Sequence, residues 1–221
     1  MANSYGPKPI VGDGLIYCVD AGDKSCYPGS GTSVTDLVGG RTATLTNGPT
    51  FNSNGYWDFD GSNDYMDMGF TPTNAICSSG YTWGYWFNWD AISGNKIQGT
   101  IDGANGRIYM GPYNGNFMTG CGNQYNSNTG TISTGNWFYC VSSFDGSSTC
   151  RTYLNGALSH TLTGITFSLN AGQTMPWGAG FNSTVQYHNN GKGALTHFYS
   201  KEFTAAEVSQ NFNAQRGRFG I

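Results

Sequence analysis

The sequence is short of charge. Only 10% of its 221 residues are Asp, Glu, Lys or Arg, against roughly 25% in an ordinary soluble chain. It has no run of lysine or arginine to release counterions from phosphates. With a formal net charge of −3, nucleic acid is not an expected partner. Glutamate is scarcest: Glu202 and Glu207 are the only two, five residues from one another near the end of the chain. Glycoside hydrolysis needs two carboxylates on opposite sides of the scissile bond. The one close acidic alternation, Asp58-Phe59-Asp60, contains no glutamate and runs into a turn. The three histidines, His160, His188 and His197, have no serine or cysteine beside them in a nucleophile motif. No catalytic residue is assigned, and the chain reads as a non-enzyme. None of the six cysteines is spaced C-x-x-C, which argues against a zinc site. No apolar run approaches the roughly 20 residues that span a bilayer, so membrane insertion is not expected. The start, Met1-Ala2-Asn3-Ser4-Tyr5-Gly6-Pro7, lacks the basic-then-apolar order of a secretory signal. The chain is therefore expected to be made in a cytoplasm and to reach any outside location by another route, such as assembly into a particle.

What is abundant is glycine, at 34 residues, and aromatic side chains, at 15%. Disorder goes with few aromatics and many charges, the reverse of this composition. The chain is long enough for one sandwich domain with a sizeable core, and its surface must be built from neutral Asn, Ser and Thr. Residues 1–13, with Pro7 and Pro9 and no apolar period, read as an extended arm, either disordered or laid on a neighbouring subunit. Residues 14–221 form the domain.

From Gly14 onward, short β runs alternate with Gly/Asn/Ser/Asp turns, which is the all-β pattern. Tyr81 to Trp89 is the richest run, with large rings on both faces, so it is expected in the middle of a sheet. Residues 97–101 and 107–110 read as a hairpin. Asn155-Gly156 marks another, because both residues tolerate positive φ. Trp57, Trp83 and Trp137 are expected in the core. Cys18 and Cys140 lie in apolar strand patterns, where cysteine acts as a small buried hydrophobe. Most cysteines are expected as reduced thiols, with disulfides as the alternative. One helix closes the chain: Thr204-Ala205-Ala206-Glu207 is a capping box, Phe203 and Val208 are placed as a hydrophobic staple, and Gly217 is the expected stop.

The motifs at 14–20 (GLIYCVD), 27–31 (YPGSG), 35–37 (TDL), 45–51 (LTNGPTF), 59–65 (FDGSNDY), 135–138 (GNWF), 153–156 (YLNG) and 198–208 (FYSKEFTAAEV) follow one another in order. Together they resemble the laminin-G-like, concanavalin A-like jelly rolls, especially versions encoded by tailed phages of marine cyanobacteria. The ending at 211–221 is similar to the tails of many such phage proteins. The resemblance implies an all-β fold, a two-sheet antiparallel jelly-roll sandwich with one short C-terminal helix. It also implies loops or a concave face open to ligands. Members bind glycans or proteins, or serve as structural modules of virions. The expected function is a non-catalytic virion protein, an accessory capsid decoration or short fibre/adhesin subunit. Its expected partners are other virion proteins and further copies of the chain. The alternative is a lectin module that recognises host-surface glycans.

For a glycan, the useful groups are exposed rings beside amides. Tyr113, Asn114, Trp177, Tyr187 and Asn189 are the candidates, with Tyr125-Asn126 beside them. Some laminin-G-like domains hold calcium through loop oxygens, and Asp60, Asn63 and Asp64 offer such a set. The competing reading is an Asp-Gly turn whose carboxylates accept backbone amides.

Overall fold

The computed structural model describes residues 10–170 and 172–221. Six strands open the chain: β1 (Leu15–Asp20), β2 (Ser33–Thr35), β3 (Thr42–Thr46), β4 (Thr50–Asn52), β5 (Tyr56–Asp60) and β6 (Tyr65–Asp67). A single helical turn, α1 (Asn74–Cys77), precedes β7 (Tyr81–Trp89), β8 (Gln98–Ile101), β9 (Arg107–Tyr113), β10 (Asn116–Gly122) and β11 (Gln124–Thr131). Then come β12 (Trp137–Phe144), β13 (Thr149–Leu154), β14 (Ala157–Thr163), β15 (Pro176–Trp177), β16 (Gly180–Asn182), β17 (Thr184–Gln186) and β18 (Asn190–Tyr199). The helix α2 (Ala205–Gln215) runs into a 3-10 turn at Arg216–Phe219.

One layer is the sheet β14-β13-β12-β7-β18-β5-β4, with β1 paired to the second half of β18. The opposing layer is divided into a six-stranded sheet, β11-β10-β9-β8-β16-β17, and a four-stranded one, β15-β6-β3-β2. Pairing is antiparallel except between β8 and β16. The division falls between β15 and β16, where Gly178 turns the chain at φ 82°. All three sheets contribute side chains to one core, so the expected antiparallel sandwich is the fold.

The central position of β7 follows from its two apolar faces, and all nine of its residues are buried. Tyr81, Trp83, Tyr85, Phe87 and Trp89 enter the inter-sheet core with Trp57, Phe59 and Phe198. Trp86 points the other way, into a second cluster beneath α2. Phe219 stacks on it at 4.1 Å between centroids, Tyr139 at 5.3 Å and Phe212 at 5.8 Å. Its indole N–H donates to Gln215 Oε1 at 2.6 Å. Trp137 is only partly buried and lies at the edge of this cluster, between Tyr56 and Phe219.

The helix starts where the capping box places it: Glu207 N–H donates to Thr204 Oγ1, and Thr204 N–H to Glu207 Oε2. Phe203 and Val208 are both buried. Its end differs from the expected stop. Gly217 lies inside the 3-10 turn, and the left-handed residue is Gly220 at φ 72°. The stacking of Phe219 on Trp86 carries the chain through Gly217 in helical form.

Residues 1–9 of the expected arm lie outside the described residues. Val11 is docked: its N–H donates to Asn211 Oδ1 at 2.7 Å, and its carbonyl accepts from the Tyr199 hydroxyl at 3.1 Å. All six cysteines are buried free thiols. Burial pushes Cys18 and Cys77 up to about 12 and Cys26 to about 11, so they behave as small core hydrophobes.

Candidate functional site

Strand alternation divides the residues of the six-stranded sheet between two faces. In β9, Ile108 and Met110 enter the inter-sheet core. Arg107, Tyr109 and Tyr113, at odd positions, fall on the outer face. In β10, Phe117 and Cys121 are core residues, which places Met118 and Gly120 outside. Tyr125 of β11 pairs with Gly120, and Gly120 pairs with Tyr109, so a row Tyr125–Gly120–Tyr109 crosses three strands. Gly120 is required there because a Cβ would sit 2.3 Å from the Tyr109 ring. Gly180 serves Tyr187 in the same way, with 2.9 Å to its ring.

This face therefore has an apolar floor of its own. Ile97, Tyr109 and Met118 are buried in it, and Ile101, Tyr113 and Tyr187 are partly buried around them. Tyr125 stands proud at 58% exposure, and the Arg107 guanidinium lies 5.5 Å from its ring centroid. Arg107 is anchored by donating Nη1–H bonds to the carbonyls of Ala104 and Gly122. Burial raises the Tyr109 phenol above its ordinary value, while the Arg107 charge pulls it back.

Of the glycan candidates, the structure brings Tyr113 and Tyr187 into this one cluster. Asn114 is exposed next to it, in the β9–β10 turn, at φ 50° and followed by Gly115 at φ 89°. Tyr125 joins the face. Asn126 turns to His160, with Nδ2 3.2 Å from His160 Nε2. Two candidates are corrected. Trp177 is 0% exposed and packs edge-on against Trp57 and Phe59 in the core, because β15 directs it between the layers. Asn189 is also 0% exposed. Its Oδ1 accepts from the Trp89 indole at 2.8 Å, and its Nδ2 donates to the carbonyls of Gly178 and Tyr187. Neither is open to solvent, although Asn189 fixes the backbone at Tyr187, which sits at φ 60°. Arg107 and Tyr109 were not among the candidates. Their signal is the odd-position spacing of Arg107, Tyr109 and Tyr113 opposite a glycine.

The calcium candidates form a closed turn. Asp60 Oδ1 accepts amides from Ser62 at 2.8 Å, Asn63 at 3.3 Å and Asp64 at 3.4 Å, and Asp64 Oδ2 accepts the Asp60 amide at 3.1 Å. The Asn63 carbonyl accepts from Asn47 Nδ2 at 2.9 Å. The bond from the Ser62 amide leads the effects that hold the Asp60 carboxyl below its usual range, whereas burial raises Asp64. Among the described residues, no group of three His, Cys, Asp or Glu is placed to hold a metal ion. Both glutamates are engaged at the helix start, Glu202 with Arg151 and Glu207 with Lys201 and the Thr204 cap.

The fold is thus a β-sandwich with one outer face covered by a helix and the other carrying partly exposed tyrosines. The chain belongs to the concanavalin A-like lectin/glucanases superfamily, whose laminin G family model matches residues 60–209. No curated protein matches the sequence. Among solved structures, the fold is similar to the Trypanosoma rangeli sialidase in complex with 2,3-difluorosialic acid (TM-score 0.68, 13% identity, 94% of this chain and 34% of that one). It is also similar to the botulinum neurotoxin serotype D binding domain (TM-score 0.66, 15% identity, 92% and 52%). The receptor binding domain of the botulinum neurotoxin C/D mosaic serotype gives a TM-score of 0.65 at 14% identity, with 93% and 52% covered. The chain thus spans 34% to 52% of the length of these structures, and the likeness at such identities is one of fold.

Proposed function

We propose that the domain is a non-catalytic carbohydrate-binding module whose binding surface is the outer face of the six-stranded sheet. The observation that carries this reading is the exposed Tyr125 ring set in register with Gly120 and Tyr109, with Tyr113 and Tyr187 completing one apolar floor. A flat ring of this kind takes the C–H face of a sugar, and exposed amides such as Asn114 take its hydroxyls. A rigid sheet with glycine under the rings holds that surface at little ordering cost. The lectins of the superfamily and the receptor binding domain of the neurotoxin, similar in fold, support a binding role. The engaged state of Glu202 and Glu207 supports a non-catalytic one. A glycan array with the wild-type chain and Tyr125→Ala tests it: the account expects a signal in the first and its loss in the second. Binding indifferent to Tyr125, or sugar released from a bound polysaccharide, would refute it.

A second reading places the module on a virion, as a capsid decoration or a short fibre/adhesin subunit, where the same face would meet host glycans. It is favoured by an exposed apolar pair, Leu37 and Val38. The turn carrying them is fixed by buried Asp36, which accepts amides from Cys18, Val38 and Gly39 and pairs with Arg41. A rigid, paired apolar tip suits docking onto another virion subunit or a second copy. Mass spectrometry of purified particles that never finds the chain would remove this reading and leave the first untouched.

A further inference from the structure

We infer that the sugar taken by the outer face of the six-stranded sheet is acidic, with its carboxylate or sulfate held by Arg107 beside the Tyr125 ring; this rests on the carbohydrate-binding reading above. Of the five arginines in the chain, Arg41, Arg151 and Arg218 each pair with a carboxylate, and Arg216 lies over the Phe212 ring in the C-terminal segment. Arg107 is different. Like Arg216 it forms no ion pair among the described residues, but it alone of the two lies on the outer face of the six-stranded sheet, where its hydrogen bonds go to neutral groups, two carbonyls and the Tyr109 phenol. A guanidinium retains its full charge under such bonds. Both carbonyl bonds run through Nη1, and they orient the planar fork without cancelling it.

The surroundings favour an anion. Asp102, in the loop that leads to β9, is 2% exposed, and its Oδ2 accepts the amides of Asn170 and Gly172, so this carboxylate is engaged beneath the loops. Arg107, the Tyr109 hydroxyl and the Tyr125 ring lie together on one face. Arg107 and Tyr125 supply a fork for an acid group and a stacking surface, with the buried Tyr109 in the floor beneath them. In a chain of formal charge −3, a cation with no ion pair beside the most exposed ring, both among the described residues, is the arrangement a uronic acid or sulfated sugar would use, since its ring stacks while its acid group meets the fork. Arginine rather than lysine suits this task because its planar fork matches a carboxylate two bonds at a time.

The test is retention of the purified full chain on immobilised polysaccharides: a polyuronate, a sulfated dextran, and neutral dextran and laminarin as controls. The wild-type chain is expected to bind an acidic matrix at least about tenfold more tightly than the neutral ones, with affinity falling steeply between low and high salt as for any charge-assisted contact. Arg107→Gln should lose about tenfold on the acidic matrix. Because Arg107 also ties the 104–122 hairpin, Arg107→Lys is run beside it, keeping the charge and losing the fork, with an intermediate loss expected. Tyr125→Ala should weaken every matrix that binds. Equal, salt-insensitive binding to acidic and neutral matrices would overturn the acidic-ligand inference while leaving the carbohydrate reading intact. Binding to none of them, together with a blank glycan array, would overturn both.

Discussion

Lowering the pH should destabilise this protein through one side chain, His197. It lies in the middle of β18, 0% exposed, with its ring over Gly84, where a Cβ would sit 2.5 Å away. The Tyr139 hydroxyl is 3.0 Å from Nε2. Burial lowers the imidazole to about 3, against about 6.5 in an unfolded chain. Above pH 6.5 the ring is neutral in both states and linkage is absent. Between 6.5 and 3 the unfolded chain binds a proton that the native state refuses, so the free energy of unfolding drops by about 1.4 kcal/mol per pH unit. From pH 7 to pH 5 the loss is about 2 kcal/mol. Tyr139 and Tyr199, its ring neighbours, are held above their ordinary values by burial and stay neutral throughout, so His197 is the group of this cluster that titrates there. Urea unfolding at pH 7, 6 and 5 measures the slope in the wild-type chain and in His197→Phe, which keeps an aromatic ring over Gly84. The variant is expected to start less stable and to lose about 2 kcal/mol less over that range. Parallel pH profiles in the two proteins would refute the reasoning.

Trp86→Ala should cost about 3–5 kcal/mol, because it removes the ring on which Tyr139, Phe212 and Phe219 stack; a loss under about 1 kcal/mol in chemical denaturation would contradict a stabilising role for the ring cluster beneath α2. Gly120→Ala drives a methyl into the Tyr109 ring and should destabilise by about 1–3 kcal/mol while weakening sugar binding. Unchanged binding would show that Tyr109 does not shape the floor. Thr204→Ala removes the capping box at about 1 kcal/mol, read as a lower melting temperature with β circular dichroism intact.

The features legible in the sequence are those set by neighbours along the chain. The capping box at Thr204 and Glu207 and the Asn155-Gly156 hairpin turn, with φ 50° and 82°, are local chemistry. The centrality of β7 follows from large rings on both of its faces. β11 was not legible. Its sequence, QYNSNTGT, is polar at nearly every position because it is an edge strand with much of its side-chain surface in solvent, so no apolar alternation marks it. β10 was hidden for a different reason: Gly120 and Gly122 interrupt its pattern, yet Gly120 is there to admit the Tyr109 ring. Trp177 and Asn189 looked like residues in or near loops because Pro176 and Gly178 flank the first and His188 and Asn190 the second. Their burial is decided by contacts distant along the chain, Trp57 for one and Trp89 for the other. The outer face itself arises only when Tyr125, Gly120 and Tyr109 come into register, and no single stretch of the chain carries that information.

Backbone amide chemical shifts, followed while an oligosaccharide that binds is titrated into the labelled chain, locate the ligand directly. The account predicts that the largest changes cluster on β9 to β11 around Arg107, Tyr109, Tyr113 and Tyr125, with Tyr187 beside them. Changes centred on the Asp60–Asp64 turn or on α2, with β9 to β11 silent, would contradict it.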